Sequence, residues 1–252
     1  MDFSAPFAIE AIPGFLSGET RSGGIREWLV TGSYQISLLN SEIEILAIDK
    51  EEFCRYLAAD YSRFALSSLE SIAASFVQHF DNRAAAWPIL NQYYSAFFSV
   101  HALLRSQGRG IIRLGDAQSN HLQQFVRASV DPNFFVANGN YEFVFEPGST
   151  GQSKLMLRRR NPGAAHEDLW TYFHEFLGDF TNEFVTAGRV GASEFLARAE
   201  ELRSILRGPQ NSQGKWLSVV RNEINYQHRY GAWYPFYERD WPGTSEKHSQ
   251  TA

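Results

Sequence analysis

Residues 215–230, KWLSVVRNEINYQHRY, carry the pattern from which the rest of the chain is best read. Leu217, Val220 and Ile224 recur at three- and four-residue spacing, and Trp216 and Val219 widen the stripe, which is how a helix covers a core. The spacing predicts one helix across the whole stretch. Beside the apolar stripe runs a polar row of Ser218, Arg221, Asn225 and His228, placed on one face by steps of three, four and three. At about 1.5 Å rise per residue, Arg221 and His228 would stand roughly 10 Å apart along that face. A guanidinium forks onto phosphate oxygens, and an imidazole takes and gives a proton near neutrality, so the pair suits a phosphodiester. The same spacing also arises when the Arg is an ion-pair residue and the His is hydrogen-bonded filler. Asn222, directly after Arg221, and the polar interruption of a helix otherwise matched to burial tilt the reading toward chemistry.

Upstream, residues 84–106 predict a second helix, with Pro88 tolerated near its start. Leu90, Tyr93, Phe97, Val100 and Leu104 form one stripe, and Tyr94, Phe98 and His101 form the next. A helix apolar over so much of its circumference is central or lies in a subunit interface, and His101 reads as a satisfied buried histidine. Gly108 and Gly110 stop it.

Arg221, Asn222 and His228, with six residues between the Arg and the His, resemble the signature of the HEPN superfamily. In that family an Arg, four to six variable residues and a His lie on the last core helix. WPILNQYYSAFFSVHALLRSQG, Trp87 to Gly108, resembles the aromatic and alanine-rich early helix of many HEPN domains. The likeness spans roughly residues 50–232, in helix order and motif position rather than in continuous sequence. It implies a mainly α, HEPN-like helical bundle that cleaves RNA by 2′-hydroxyl attack without a metal, with Arg221, Asn222 and His228 as catalytic residues. It further implies a homodimer whose two motifs face one cleft, a role in toxin-antitoxin or antiviral systems, and an antitoxin or regulatory protein as a further partner. A noncatalytic HEPN-like module binding a protein or a nucleotide is the alternative.

The remaining segments arrange themselves around those two helices. Residues 1–49 read as an extension, irregular where Pro6, Pro13 and Gly23-Gly24 punctuate it, with a candidate hairpin over 33–48 or instead a short helix over 25–30 followed by an extended strip. Asp49 caps a long helix whose inward stripe would be Phe53, Leu57, Tyr61, Phe64, Leu69, Ile72, Phe76 and Phe80. Asp60, Arg63 and Glu70 on it read as a solvated face. The helical domain spans 50–241, with an insertion at 111–162 holding a helix over 118–130 and strands over 141–145 and 154–157. Arg158-Arg159-Arg160 close that insertion, and with Asn225 and Arg229 they are the candidate RNA contacts. A helix over 166–184 and another over 192–206, with Phe195, Leu196, Ala199, Leu202 and Ile205 inward, precede the motif helix. Residues 242–252 form a polar tail expected to be disordered.

Composition narrows the choices. The chain has 252 residues, 44% of them hydrophobic, enough for a full core. No apolar run approaches 18 residues and no charged leader is visible, which predicts a cytoplasmic protein with no membrane partner. One cysteine, Cys54, excludes an internal disulfide. The formal charge of −5 argues against a broad nonspecific nucleic-acid surface while allowing a local basic groove. His79, His101, His121, His166, His174 and His228 are scattered without a ligand spacing such as HExxH, so neither a metal nor another cofactor is expected.

Overall fold

Strands that lie far apart in the chain meet in one sheet. The structure, a computed structural model, describes residues 23–40, 42–47, 49–81, 85–147, 153–160, 164–188, 190–210 and 212–233. The segment 1–22, residues 148–151 of the Gly-rich turn and the tail from 242 lie outside them. In chain order the elements are α1 (Ile25–Thr31), β1 (Tyr34–Leu39), β2 (Glu42–Ala47), α2 (Lys50–Asp81), α3 (Ala86–Ser106), β3 (Arg109–Leu114), α4 (Asp116–Ser129), β4 (Gly139–Pro147), β5 (Ser153–Arg159), α5 (Ala165–Thr186), α6 (Ala192–Arg207) and α7 (Trp216–Gln227). A 3-10 turn over Arg229–Gly231 follows. The fold is mainly helical with a small antiparallel sheet. Near the N-terminus the short helix and the hairpin, posed as alternatives from sequence, are both present.

The sheet runs β1-β2-β5-β4-β3. Its junction is the antiparallel pairing of β2 with β5, in which Ile43 faces Leu157 and Ile45 faces Leu155. The N-terminal hairpin and the strands of 111–162 thus complete one another. Strand β3 is an addition to the expected elements, since the sequence there offers a helix stop at Gly108 and Gly110 and only six residues, RGIIRL, before the next helix.

Period-two alternation divides the sheet's faces. Tyr141, Phe143, Leu155 and Leu157 point toward Trp28 and Leu29 of α1, Phe53 and Leu57 of α2, and Leu122 and Val126 of α4. On the opposite face Ile111 joins a second core with Leu104 of α3 and Leu169, Trp170 and Phe173 of α5. A small third cluster, with Ala86, Leu90, Ile224 and Ala232, seats α7 on the start of α3. α3 therefore touches both the second core and the motif helix, which makes it the element that positions the site.

Two expected core stripes are corrected. On α2, Phe53 and Leu57 are buried as expected, but Leu69 and Phe76 are 63% and 61% exposed. Beyond Phe64, which stacks on His101 at 4.4 Å, the seam between α2 and α3 includes small residues: Ser68 Oγ lies 2.7 Å from Ser99 Oγ and donates to the Ser95 carbonyl over 2.9 Å. Close approach along the serines turns the larger apolar side chains outward. On α6, Ala199 and Leu206 are buried, while Leu196, Leu202 and Ile205 face outward. Phe195 packs as expected, its ring 4.8 Å from Phe184 of α5.

Asp60 is also buried rather than solvated. Arg105 Nε lies 3.5 Å from Asp60 Oδ2, and Arg63 Nη2 lies 2.5 Å from the other carboxylate oxygen. The buried Arg105 guanidinium also donates to His101 Nδ1 over 2.9 Å and to the Ile111 carbonyl over 3.2 Å, and sits 4.4 Å from the centre of the Phe64 ring. Because the Arg can only donate, His101 Nδ1 accepts. Burial first, then the Arg105 charge, pushes the His101 pKa well below its ordinary value. Gly110, at φ +156°, is where this guanidinium passes the sheet; a Cβ there would come within 2.8 Å of Arg105 Nη1 and 2.9 Å of the Phe143 ring.

Candidate functional site around Arg221

α7 is shorter than the sequence predicts. It ends at Gln227, and His228 takes a left-handed conformation at φ +52°, with its N–H donating to the Glu223 carbonyl. The indole Nε1 of Trp233 donates to the Ile224 carbonyl over 2.6 Å, satisfying one of the acceptors that a helix end leaves open. His228 therefore does not continue the face that holds Arg221, which corrects the single-row picture. It is exposed, with its ring 5.6 Å from that of Trp233.

Arg221 is half-buried and held from two sides. Its Nη1 donates to the Asn222 carboxamide oxygen over 2.8 Å, and its Nη2 donates to Tyr94 Oη over 2.6 Å. The rings of Tyr94 and Tyr226 have their centres 5.6 and 5.4 Å from the guanidinium carbon. Its Nε is buried, with no partner among the described residues. Asn222 thus holds one side of the guanidinium.

The structure adds residues that the sequence pattern did not single out. Tyr93, the neighbour of Tyr94 on α3, has its Oη 2.8 Å from Nδ1 of His166 in the first turn of α5. Trp170 Nε1 donates to the same oxygen over 3.0 Å. The His166 ring stacks on Phe97 at 4.3 Å between centroids and meets Tyr94 edge-on at 6.0 Å. Burial first, and the Arg221 charge second, hold the His166 pKa below its ordinary value. Ser218, fully buried on α7, borders the Tyr93 hydroxyl. The sequence signal was the Tyr93-Tyr94 pair, which presents one hydroxyl toward each of two neighbouring helices; His166 gave none.

The candidate RNA contacts are dispersed. Arg158 sits 2.5 Å from Glu42 and 3.0 Å from Glu142, while Arg160 sits 3.0 Å from Glu142 and 2.9 Å from Glu175. Arg159 is exposed at the end of β5. All three line a groove of about 760 Å³ between the sheet and α5 that also reaches Gln213 and Lys215 at the entry to α7. Five basic residues there (Arg109, the triplet and Lys215) stand against five acidic ones (Glu142, Glu167, Asp168, Glu175 and Asp179), so the groove is electrically balanced. Arg229 lies 2.6 Å from Glu223, and Asn225 is half-buried on α7.

Among the described residues no group of three or more His, Cys, Asp or Glu side chains is placed to hold a metal ion, and no helix is long and apolar enough to cross a membrane. Compared with known proteins, the chain matches no family model, no curated protein and no solved structure.

Proposed function

We propose that this chain is a HEPN-like, metal-independent endoribonuclease in which Arg221 binds and neutralises the scissile phosphate. The observation that carries the reading is the mounting of Arg221: Asn222 and Tyr94 fix two of its nitrogens, and two aromatic rings flank it. A guanidinium fixed in this way loses less entropy on meeting a phosphate than a free one, and it is in place before charge develops on the phosphorane. The RNA supplies its own nucleophile, the 2′-hydroxyl. The protein then has to remove one proton, supply another to the departing 5′ oxygen, and hold the charge. His228, exposed one residue past α7, serves as the base, in this copy or facing a second copy across a shared cleft. RNA would reach the Arg158-Arg159-Arg160 triplet only by displacing Glu42, Glu142 and Glu175 from Arg158 and Arg160, so the triplet contributes little to affinity.

A second reading, a helical module that binds a protein partner, is favoured by one observation. Leu66, Leu69, Phe76 and Val77 are exposed on α2, at spacings that place them along one side of the helix.

The test is cleavage of mixed cellular RNA in excess EDTA by the parent chain and by folded Arg221→Ala and His228→Ala variants. The nuclease reading expects cleavage by the parent, ending in 2′,3′-cyclic phosphates, and a loss of about 10²-fold or more in each variant. Equal cleavage by all three would mark the activity as a contaminant, and a parent that cleaves nothing would shift the weight to the partner-binding reading.

A further inference from the structure

His166 has the surroundings of a working histidine. Its Nδ1 is anchored by Tyr93 Oη at 2.8 Å, and that oxygen is itself fixed by the Trp170 indole at 3.0 Å. The ring is clamped against Phe97. With one nitrogen tied and the ring immobilised, Nε2 is the nitrogen left for chemistry, and the anchoring resembles the way other proteins orient a functional imidazole through its second nitrogen. Across Tyr94 lies Arg221, close enough for its charge to be felt at His166.

We propose that His166 is the second phosphate-contacting group of this site: in its protonated form it donates through Nε2–H to a phosphate group docked on Arg221. The inference rests on, and deepens, the reading of Arg221 as the phosphate ligand. Without an anion, burial first and the Arg221 charge second favour the neutral imidazole, which accepts the Tyr93 hydroxyl proton at Nδ1. A phosphate on Arg221 cancels that nearby positive charge if it is a diester, and leaves a net negative one if it is a dianionic monoester, and so draws a proton onto the ring. Nδ1–H then donates to Tyr93 Oη, and the Tyr93 proton turns toward Ser218, which borders that oxygen. Either protonation state is thus accommodated without moving the ring. The other charged or titratable neighbours do not oppose this: Tyr94 and His101 lie on α3, the latter with its pKa pushed well below the ordinary value by burial, while on α5 Glu167 is occupied by Lys215 and Asp168 by Asn140.

In RNA cleavage the two histidines would divide the proton transfers that one cannot perform alone. The 2′ oxygen bonds to phosphorus and gives its proton to His228, while the bond from phosphorus to the 5′ oxygen breaks and that oxygen takes the proton from His166 Nε2. The reaction is thereby balanced with no further reactant.

The test is a pH titration of the imidazole nitrogens by NMR on the full chain, with and without uridine 3′-monophosphate, assigned with His166→Gln, or with Tyr93→Phe should the first variant unfold. The proposal expects the His166 midpoint to rise by about 1 pH unit or more with the nucleotide, and not to rise in Arg221→Ala. Inorganic phosphate should reproduce part of the rise and uridine none of it. A His166 midpoint unchanged by the nucleotide overturns the proposal, whether or not the sample cleaves RNA. A rise in a sample that cleaves no RNA supports the phosphate site and removes the nuclease reading instead.

Discussion

Arg221 Nη2 and Tyr94 Oη lie 2.6 Å apart although 127 positions separate the two residues in the chain. The bond ties the motif helix to the middle of α3, so the aim of the guanidinium is set by a residue outside the motif. Tyr94→Phe keeps the ring beside Arg221 and deletes only the acceptor. Its expected outcome is a fall of about tenfold in kcat/KM for RNA, equivalent to about 1.4 kcal/mol, with the protein still folded. Steady-state cleavage beside Arg221→Ala, which should lose more, checks it. Parent-like activity in Tyr94→Phe would show that Asn222 alone orients the guanidinium.

The Asp60–Arg105 pair is a second long-range tie, joining the first half of α2 to the end of α3 in the interior. Removing Asp60 leaves the buried Arg105 charge without a counter-charge, at a cost of about 3–5 kcal/mol, whereas removing Arg105 leaves Asp60 still paired with Arg63. Asp60→Asn should therefore destabilise strongly by urea unfolding, and Arg105→Met somewhat less. The double variant should recover part of the sum, since neither buried charge then remains. Strict additivity of the two losses would show that the side chains do not interact.

His101, His166 and His174 all have pKa values held below the ordinary histidine value, with burial the largest cause in each case. A folded-state pKa lower than the unfolded one means that the unfolded chain binds the proton more readily. The stability these groups contribute is then fully present above the unfolded pKa of about 6.5 and is lost as pH falls below it, by up to about 1.4 kcal/mol per pH unit for each proton taken up. Urea unfolding should give a lower stability at pH 5.5 than at pH 7.5. His101→Gln, though less stable at pH 7.5, should show a shallower loss between the two. An equal slope in parent and variant would remove His101 from the linkage.

Local pattern made much of this legible. The apolar stripe of α3, the extent of α5 and the strands β4 and β5 to within two residues all follow from spacings of two, three and four. The end of α7 did not, because it depends on Trp233 reaching back to the Ile224 carbonyl and on His228 accepting a left-handed conformation, neither of which periodicity encodes. Strand β3 was hidden because its pairing partner lies a helix away in the chain. His166 was hidden for a similar reason: its anchor, Tyr93, is 73 residues distant. The outward turn of Leu69 and Phe76 came from serines that, on composition alone, read as the polar side of α2.

That outward turn is itself testable. Leu69 and Phe76 are more than half exposed, so replacing both with Glu removes little from the folded chain's own core and should change its urea midpoint only slightly. If a second copy covers this stripe, as the shared-cleft form of the nuclease reading requires of some apolar face, the double variant should sediment as a monomer where the parent sediments as a dimer. Cleavage should fall with it, since a cleft shared between two copies cannot form from one. A parent that is dimeric, and stays dimeric and active with both Glu residues in place, would move the subunit contact away from α2 and leave its apolar side to a partner of another kind.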